Sequence, residues 1–304
     1  MFDEIVVPVD GSSFGELALP VALGIACKSG GEVRLVTVVT PLSSPQPTHD
    51  WSLLEAERMI QAREHAEGYH KDLHKRVVLS GCDAPVSCHV EEGPVVEELD
   101  EHIRKAKGDL LVMTTHGRGP LRRAWIGSVA DGLIRRTPCP ILAIRPREGE
   151  TVDMEEREFK RILVPLDGST ESREVLPYVR ELASLFQSSL FLFRVVPPHF
   201  PLSSPYIPHA AQEMRAHDLE EEAAREALDA EARELKEAGF QVETRVELGA
   251  HPADEILELA RDREADLIAM TTHGRGGVSR LVLGSVADKV VRGGTAPVFL
   301  HRAS

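Results

Sequence analysis

Long apolar runs and aromatic side chains are both scarce in this chain of 304 residues. Aromatic residues make up 5% of it, and no apolar run approaches the roughly 18 residues that a membrane-spanning helix needs. The first five residues include two acidic ones, where a secretory signal carries a basic region. We therefore expect a soluble cytoplasmic protein that does not bind a membrane.

Metal-ligand and redox spacings are missing as well. Cys27, Cys82, Cys88 and Cys139 form no Cys-x-x-Cys pair, which argues against a zinc ribbon or a thioredoxin-like motif. We expect small buried thiols in a reducing compartment. The histidines show no metal-ligand clustering, and we place the pair His70 and His74 on an exposed helix surface. The sequence thus predicts neither a metal site nor a catalytic residue.

Basic residues are also fewer than acidic ones. Lysine and arginine total 35 residues against 49 acidic ones, giving a net charge of −14. A nucleic-acid-binding surface needs a basic stripe, so nucleic acid is not an expected partner.

What the chain does contain is one domain repeated in tandem. Residues 5–12, Ile-Val-Val-Pro-Val-Asp-Gly-Ser, are matched by residues 162–169, Ile-Leu-Val-Pro-Leu-Asp-Gly-Ser. This offset of 157 also relates Asp109 to Asp266 and Pro140 to Pro297. Several landmarks in one register indicate a tandem duplication.

Each copy alternates strand-like runs with helix-like segments, which is typical of a parallel α/β sheet. We predict two tandem, doubly wound, Rossmann-like domains, each with a five-stranded parallel sheet. The first covers residues 1–146, the second covers 160–304, and the charged segment 147–159 is predicted to be an exposed linker. In the first copy, one unbroken helix is expected from Ser12 or Ser13 to about Ser29. The acidic run within the long helix 209–238 is interpreted as a solvated face.

Ligands bind such sheets beyond the carboxyl ends of the strands, where the strand order reverses. Three sequence-distant elements should meet there. Strand one ends at Asp10 and Asp167, strand two ends at residues 38–40 and 195–196, and a glycine-rich turn follows strand four. That turn reads Thr-Thr-His-Gly-Arg-Gly at 114–119 and again at 271–276.

The chemistry of this turn suits phosphate. Gly117 and Gly274 allow close backbone approach, and the helices beginning near Ser128 and Ser285 offer N–H groups at a positive dipole end. The aspartate after strand one can accept hydrogen bonds from a ribose, or it can brace the turn and cap the next helix.

The charged residues of the turn leave alternatives open. Arg118 and Arg275 either attract phosphate or are solvated loop charges. His116 and His273 are interpreted as structural hydrogen-bonding groups, because no partnered nucleophile recurs beside them.

The chain resembles a tandem universal stress protein. The resemblance rests on Val-Pro-Val-Asp-Gly-Ser at 7–12, the Thr-His-Gly-Arg-Gly turn, Gly-Ser-Val-Ala-Asp at 127–131 and 284–288, and Pro-Cys-Pro at 138–140. It covers both copies outside the linker. It implies a stress-response regulator that binds ATP or AMP, with the presence of Mg²⁺ left open. It also implies an intramolecular pseudo-dimer through the last strands, 141–144 and 298–300, while homodimerisation stays open.

The family's nucleotide-binding branch carries the loop Gly-x-x-Gly, nine further residues, then Gly-Ser or Gly-Thr. Gly117, Gly127 and Ser128 match it, as do their counterparts, but Thr114 and Thr271 occupy the position of the first glycine. A β-branched side chain there either narrows the phosphate path or contributes its hydroxyl.

The two copies differ within the loop. The first has Pro120 where the second has Gly277, and proline removes a backbone donor. The second repeat is therefore the better match. The predicted nucleotide-binding residues are Asp10, Val39, Thr114, His116, Gly117, Arg118, Gly127, Ser128 and Val129, and Asp167, Val195, Thr271, His273, Gly274, Arg275, Gly277, Gly284, Ser285 and Val286.

Two other functions remain open at this point. One is a protein-interaction scaffold without nucleotide, which Thr114, Thr271 and Pro120 favour. The other is a slow ATPase or a nucleotidyl-transfer enzyme. No Walker lysine follows the turn and no base-plus-nucleophile pair recurs, so at most weak ATP hydrolysis is expected.

Overall fold

The computed structural model describes residues 1–41, 49–115, 126–146, 152–154, 157–198, 210–272 and 283–303. The chain divides into two units, Met1–Glu158 and Phe159–Ser304. Both are α/β domains with the same order of elements, as the duplication predicts.

In the first unit, segments rich in apolar residues form most of the strands, and the intervening segments form helices. Its elements are β1 (Glu4–Pro8), α1 (Ser13–Glu16), α2 (Leu19–Ser29), β2 (Glu32–Val39), α3 (His49–Leu79), β3 (Val86–Glu92), α4 (Val95–Ala106), β4 (Leu110–Thr114), α5 (Ser128–Arg136) and β5 (Ile141–Ile144).

The strands of this unit lie in the order β3-β2-β1-β4-β5 and pair in parallel. Ile5 of the central strand β1 is opposite Val33 on one side and Leu110 on the other. Its side chain is fully buried, as expected for a strand covered on both faces. The order reverses between β1 and β4, so the predicted doubly wound fold is confirmed and its crevice lies at these strand ends.

The second unit repeats this arrangement, with strand order β8-β7-β6-β9-β10 and parallel pairing. Its elements are β6 (Arg161–Pro165), α6 (Thr170–Arg173), α7 (Leu176–Phe186), β7 (Ser189–Val196), α8 (Ala210–Glu237), β8 (Val242–Leu248), α9 (Pro252–Asp262), β9 (Leu267–Thr271), α10 (Ser285–Gly293) and β10 (Val298–His301).

The prediction of one unbroken first helix was wrong. The segment forms two helices, α1 and α2, with Leu17 as the C-cap of the first and Ala18 as the N-cap of the second. Pro20 has no N–H to donate to the carbonyl of Glu16, so the α-helical ladder cannot continue through this point. The second unit breaks its helix in the same way before α7, which has proline in its first turn.

The prediction of four buried, unpaired thiols was also wrong. Cys27 and Cys82 form a disulfide with their Cα atoms 6.4 Å apart, and Cys88 is exposed, while Cys139 is buried. The C-terminal end of α2 and the turn after α3 lie side by side, which brings the first two thiols together. A separation of 55 residues with no counterpart in the second copy gave no sequence signal for this pair.

His70 is not a surface residue, contrary to the interpretation from sequence. It is 3% exposed and lies on the buried side of α3 with Ala66, Leu73 and Val77. This spacing of four, three and four residues forms one helical stripe that faces the sheet. His74 is exposed, as expected.

The described part of the predicted linker makes contacts with the first unit. The N–H of Arg157 donates to the carbonyl of Pro20 at 3.2 Å, and Glu158 lies 3.5 Å from Lys28. Phe159 is fully buried and packs edge-on against Phe186 at 5.3 Å. Phe159 is the first residue of the second unit.

Among the described residues, no helix is both long and apolar enough to cross a membrane.

Candidate functional site

The turn after the central strand is held by its own aspartate in both units. Oδ1 of Asp10 accepts hydrogen bonds from the N–H and the hydroxyl of Ser12, at 2.9 and 2.5 Å. Asp167 makes the same two bonds to Ser169. Gly11 has φ +76°, a left-handed conformation that a side chain would strain. These contacts establish the bracing role of the carboxylate and fix its position at the strand end.

A cavity of about 470 Å³ lies beyond the ends of β1, β2 and β4 in the first unit, bounded by α4 and α5. Most of its wall is apolar, and its polar groups lie at the strand ends and at the start of α5. The lining residues are Pro8, Val9, Asp10, Gly15, Val36, Val38, Val95, Leu99, Met113, Thr114, Thr115, Gly127, Ser128, Val129, Ala130 and Leu133.

A backbone hydrogen bond between two lining residues joins the end of β4 to the start of α5. The N–H of Gly127 donates to the carbonyl of Thr115 at 2.8 Å, and Gly284 repeats the bond to Thr272 at 2.9 Å. A Cβ on Gly127 would lie 3.3 Å from that carbonyl oxygen, so glycine permits the close approach. The strand end and the helix start are thus held together in both units.

Glycine at the N-cap leaves α5 without a side-chain cap at its first turn. Ser128, Val129 and Ala130 form that turn, and all three line the cavity. A helix N-terminus carries unpaired N–H groups and a positive dipole end, which together favour an anionic ligand.

The predicted site residues of the first copy that the structure describes converge on this cavity, with one exception. Val39 does not line it, and its carbonyl accepts the N–H of Gly93 at 3.0 Å. Val38, its neighbour, contributes to the wall instead. Those that line the cavity are Asp10, Thr114, Gly127, Ser128 and Val129.

In the second copy the described site residues lie at the same strand ends and helix start, and by the 157-residue offset Val195 is the counterpart of Val38. Asp167 follows β6, Val195 lies near the end of β7, and Thr271 is the last residue of β9 and is buried. Gly284 is the N-cap of α10, with Ser285 and Val286 in its first turn. The predicted residues outside the described part of the chain are His116, Gly117, Arg118, His273, Gly274, Arg275 and Gly277.

A group of residues that packs behind the Asp10 turn was not predicted from the sequence. Glu16 accepts a hydrogen bond from the hydroxyl of Tyr69 at 3.1 Å and lies 2.8 Å from Arg76. Burial, and then the Glu16 carboxylate, raise the pKa of Tyr69 well above its usual value. These contacts hold α3 against the helix that follows Asp10. The stripe of apolar residues on α3 was the available signal for this face.

His70 extends this layer to the strand ends. The hydroxyl of Thr37 donates to the carbonyl of Val9 at 2.9 Å, so Nε2 of His70, 2.8 Å from that hydroxyl, is the donor to it. Burial, followed by the nearby His89, lowers the pKa of His70. A neutral histidine on α3 therefore supports the backbone that lines the cavity.

The N-terminal half of α3 also contacts the end of β2. Nη2 of Arg58 donates to the carbonyl of Thr40 at 2.8 Å, and its guanidinium is paired with Glu55. The peptide after Val39 is thereby tied to the long helix.

A model of the universal stress protein family matches the chain twice, over residues 1–145 and 158–302. The chain belongs to the universal stress protein family. The two matches correspond to the two units, and this family comprises stress-response proteins.

Full-length relatives share the tandem form. A universal stress protein of Mycobacterium tuberculosis is 29% identical over 316 residues, covering 98% of this chain and 94% of the relative. One from Methanocaldococcus jannaschii is 34% identical over 148 residues, which is 48% of this chain and 83% of that protein.

Solved structures support the fold of this universal stress protein. One from Archaeoglobus fulgidus has a TM-score of 0.62 at 20% identity, covering 99% of this chain and 96% of that chain. One from Pseudomonas aeruginosa has a TM-score of 0.65 at 16% identity, covering 99% and 94%.

The two universal-stress units differ beside the same turn. In the second unit the guanidinium of Arg194 lies against Gly168, 2.6 Å from where a Cβ would stand. Thr37 holds the corresponding strand position in the first unit. The ion pair behind the turn is also reversed, because α6 supplies Arg173 to Glu231 of α8 at 2.9 Å. The two units share the turn that the aspartate braces, but the charged side chains around that turn differ.

Proposed function

We propose that this universal stress protein is a stress-response regulator that binds an adenine nucleotide, ATP or AMP, at the strand ends of each repeat. The observation that carries the proposal is the cavity of the first unit, because Asp10, Thr114, Gly127 and Ser128 all line it. Its volume of about 470 Å³ lies within the range of roughly 300–1,000 Å³ typical of small-molecule sites.

The cavity offers a separate surface to each part of a nucleotide. Val36, Val38 and Met113 supply an apolar wall for the base. Asp10 stands at the strand end, where a carboxylate can accept the ribose hydroxyls. Ser128 and the uncapped start of α5 suit the phosphates. The order base, ribose, phosphate thus runs from β2 past β1 to α5.

The second repeat is proposed as the better binder on the basis of its loop sequence. Gly277 keeps a backbone N–H that Pro120 lacks, and both residues lie outside the described part of the chain. Arg194 adds positive charge beside the Asp167 turn, which supports the same ranking.

The part Mg²⁺ plays stays open in this proposal. Among the described residues, no group of three or more His, Cys, Asp or Glu side chains is arranged to hold a metal ion. Mg²⁺ bound to the phosphates of ATP needs only one or two protein carboxylates.

Calorimetric titration of the full chain with ATP and with AMP tests the proposal, and two binding events per chain are expected. Gly127→Ala places a methyl group 3.3 Å from the Thr115 carbonyl and should weaken the first site about tenfold, or 1.4 kcal/mol. Gly284→Ala should do the same to the second site. Gly68→Ala is the control, because a Cβ there meets nothing within 4 Å.

An interaction scaffold without nucleotide is the second candidate. It is favoured by Thr114, which lines the cavity, and by buried Thr271, since both stand where the nucleotide-binding branch has glycine. Absence of heat, of thermal shift and of acid-extractable nucleotide would establish the scaffold instead. Turnover of ATP that is lost in an Asp10→Asn, Asp167→Asn variant would identify an enzyme.

A further inference from the structure

The first unit contains the Cys27–Cys82 disulfide, and the second unit has no cysteine. Cys27 lies in the last turn of α2, and Cys82 lies in the turn between α3 and β3. Both residues are half-buried. All four cysteines of the chain fall in the first repeat, and Ser184 holds the position of Cys27 in the second.

Comparison of the two units separates the fold from the bond. The second unit forms the same elements in the same order without any cysteine. Its long helix is attached by side-chain ion pairs, Arg173 with Glu231 and Arg180 with Glu234, as α3 is by Arg76 with Glu16. The disulfide is therefore not needed to form this fold, and it is available for another role.

A continuous set of contacts leads from the disulfide to the candidate site. The bond fastens the C-terminal end of α3 to α2. From α3, Tyr69 and Arg76 contact Glu16, and Glu16 follows Gly15 of the cavity wall. His70, on the same helix, contacts Thr37, which holds the carbonyl of Val9, another wall residue.

We infer that Cys27 and Cys82 are a reversible thiol–disulfide site, and that their oxidation holds α3 in place and tightens ligand binding in the first repeat. The ligand part of this inference rests on the proposed nucleotide function. Its physical basis is preorganisation: a helix already fixed by the bond loses less freedom when a ligand binds.

The chemistry is thiol–disulfide exchange with a low-molecular-weight disulfide such as oxidised glutathione. One protein thiolate attacks the reagent, forming a mixed disulfide and releasing one reagent thiolate. The second protein thiolate then attacks the protein-side sulfur and releases the other. The two protein thiols lose two electrons and two protons, and the reagent disulfide becomes two thiols; a reducing dithiol reverses each step.

Thiol counting is the first test. After incubation with oxidised glutathione and denaturation, Cys139 should react with a thiol reagent, Cys88 should react or carry the mass of one glutathione, and Cys27 and Cys82 should do neither. After reduction, all four should react. Four reactive thiols under both conditions would overturn the inference.

Hydrogen exchange of α3 is the second test, and it needs no ligand. Oxidised protein should exchange the α3 amides more slowly than reduced protein, while α8 should not respond. The Cys27→Ser, Cys82→Ser variant should behave as reduced protein under both conditions, and Cys88→Ser should respond as the unsubstituted protein does. An α3 that exchanges equally in both states contradicts the inference.

ATP titration is the third test, with Gly284→Ala used to assign the binding events, because that variant should shift only the event of the second repeat and leave the first site unchanged. Reduction should weaken that site about fivefold, the lower end of typical coupling between sites. If the disulfide forms but the first site binds ATP equally well in the oxidised and reduced protein, the proposed effect of the disulfide on ligand binding is refuted. If ATP and AMP bind in neither state, the proposed function fails, and thiol counting with exchange still decides whether the redox site exists.

Discussion

Glu16 should be the residue on which the attachment of α3 to the turn most depends. Its side chain is 9% exposed and lies 2.8 Å from Nη1 of Arg76, which is 43% exposed. Removing one partner from a fully buried pair costs about 3–5 kcal/mol, and exposed pairs contribute about 0.2–1 kcal/mol. With one partner buried and the other half in solvent, we expect Glu16→Gln to cost about 2 kcal/mol. Glutamine keeps an oxygen for Tyr69, so the loss reports mainly on the charge.

The protein provides its own reporter for this measurement. Both tryptophans, Trp51 and Trp125, belong to the first repeat, so urea unfolding followed by tryptophan fluorescence reports on that repeat. A double-mutant cycle with Arg76→Gln isolates the coupling between the two side chains, which we expect at about 1–2 kcal/mol.

A matched pair on the same helix serves as the control. Arg63 and Glu67 lie 3.3 Å apart with side chains 56% and 50% exposed, so Glu67→Gln should change stability by less than about 0.5 kcal/mol. If Glu16→Gln also stays below that value, or if the cycle shows no coupling, the buried pair does not hold α3 and this reasoning is wrong.

Three further outcomes follow from the same structure. The pKa of Tyr69 is raised by burial and then by Glu16. The contribution of the protonated phenol to the free energy of unfolding is therefore complete below pH 10 and should decrease as the pH rises above 10. Urea unfolding at pH 9 and 11, compared with Tyr69→Phe, checks this. Burial lowers the pKa of His70 and of His301, so stability should decrease as pH falls below 6.5; denaturation at pH 7.5 and 5.5 in each histidine-to-glutamine variant would show it. Gly132→Ala puts a Cβ 2.9 Å from a valine of α4 and should destabilise by about 1–2 kcal/mol, whereas Gly68→Ala, in open space, should stabilise by about 0.5–1 kcal/mol; equal effects would contradict the packing argument.

Features with a strong periodic or repeated signal could be predicted from the sequence. The 157-residue offset and the buried apolar strands indicate two doubly wound parallel sheets, and hence a crevice at the carboxyl ends of the strands, as the observed strand order shows. Asp10, Thr114 and Ser128 could be placed together because parallel strands bring their carboxyl ends to one edge.

Features that depend on tertiary packing were harder to predict. The Cys27–Cys82 bond joins elements whose adjacency is visible only once the helices are packed. The burial of His70 could have been found from the stripe with Leu73 and Val77, but the polar composition of α3 obscured it. The break before Pro20 was available from the sequence, because proline cannot donate to the preceding turn.

The bond from Gly127 to Thr115, and its copy from Gly284 to Thr272, has a consequence for how such proteins diversify. Each bond joins the residues that flank a segment, and such a contact offsets part of the entropic cost of closing a loop. The bond is present in both units although the sequences between its ends differ, as at Pro120 and Gly277. We therefore expect that exchanging the two segments between the repeats leaves both domains folded and, on the proposed function, transfers ligand preference.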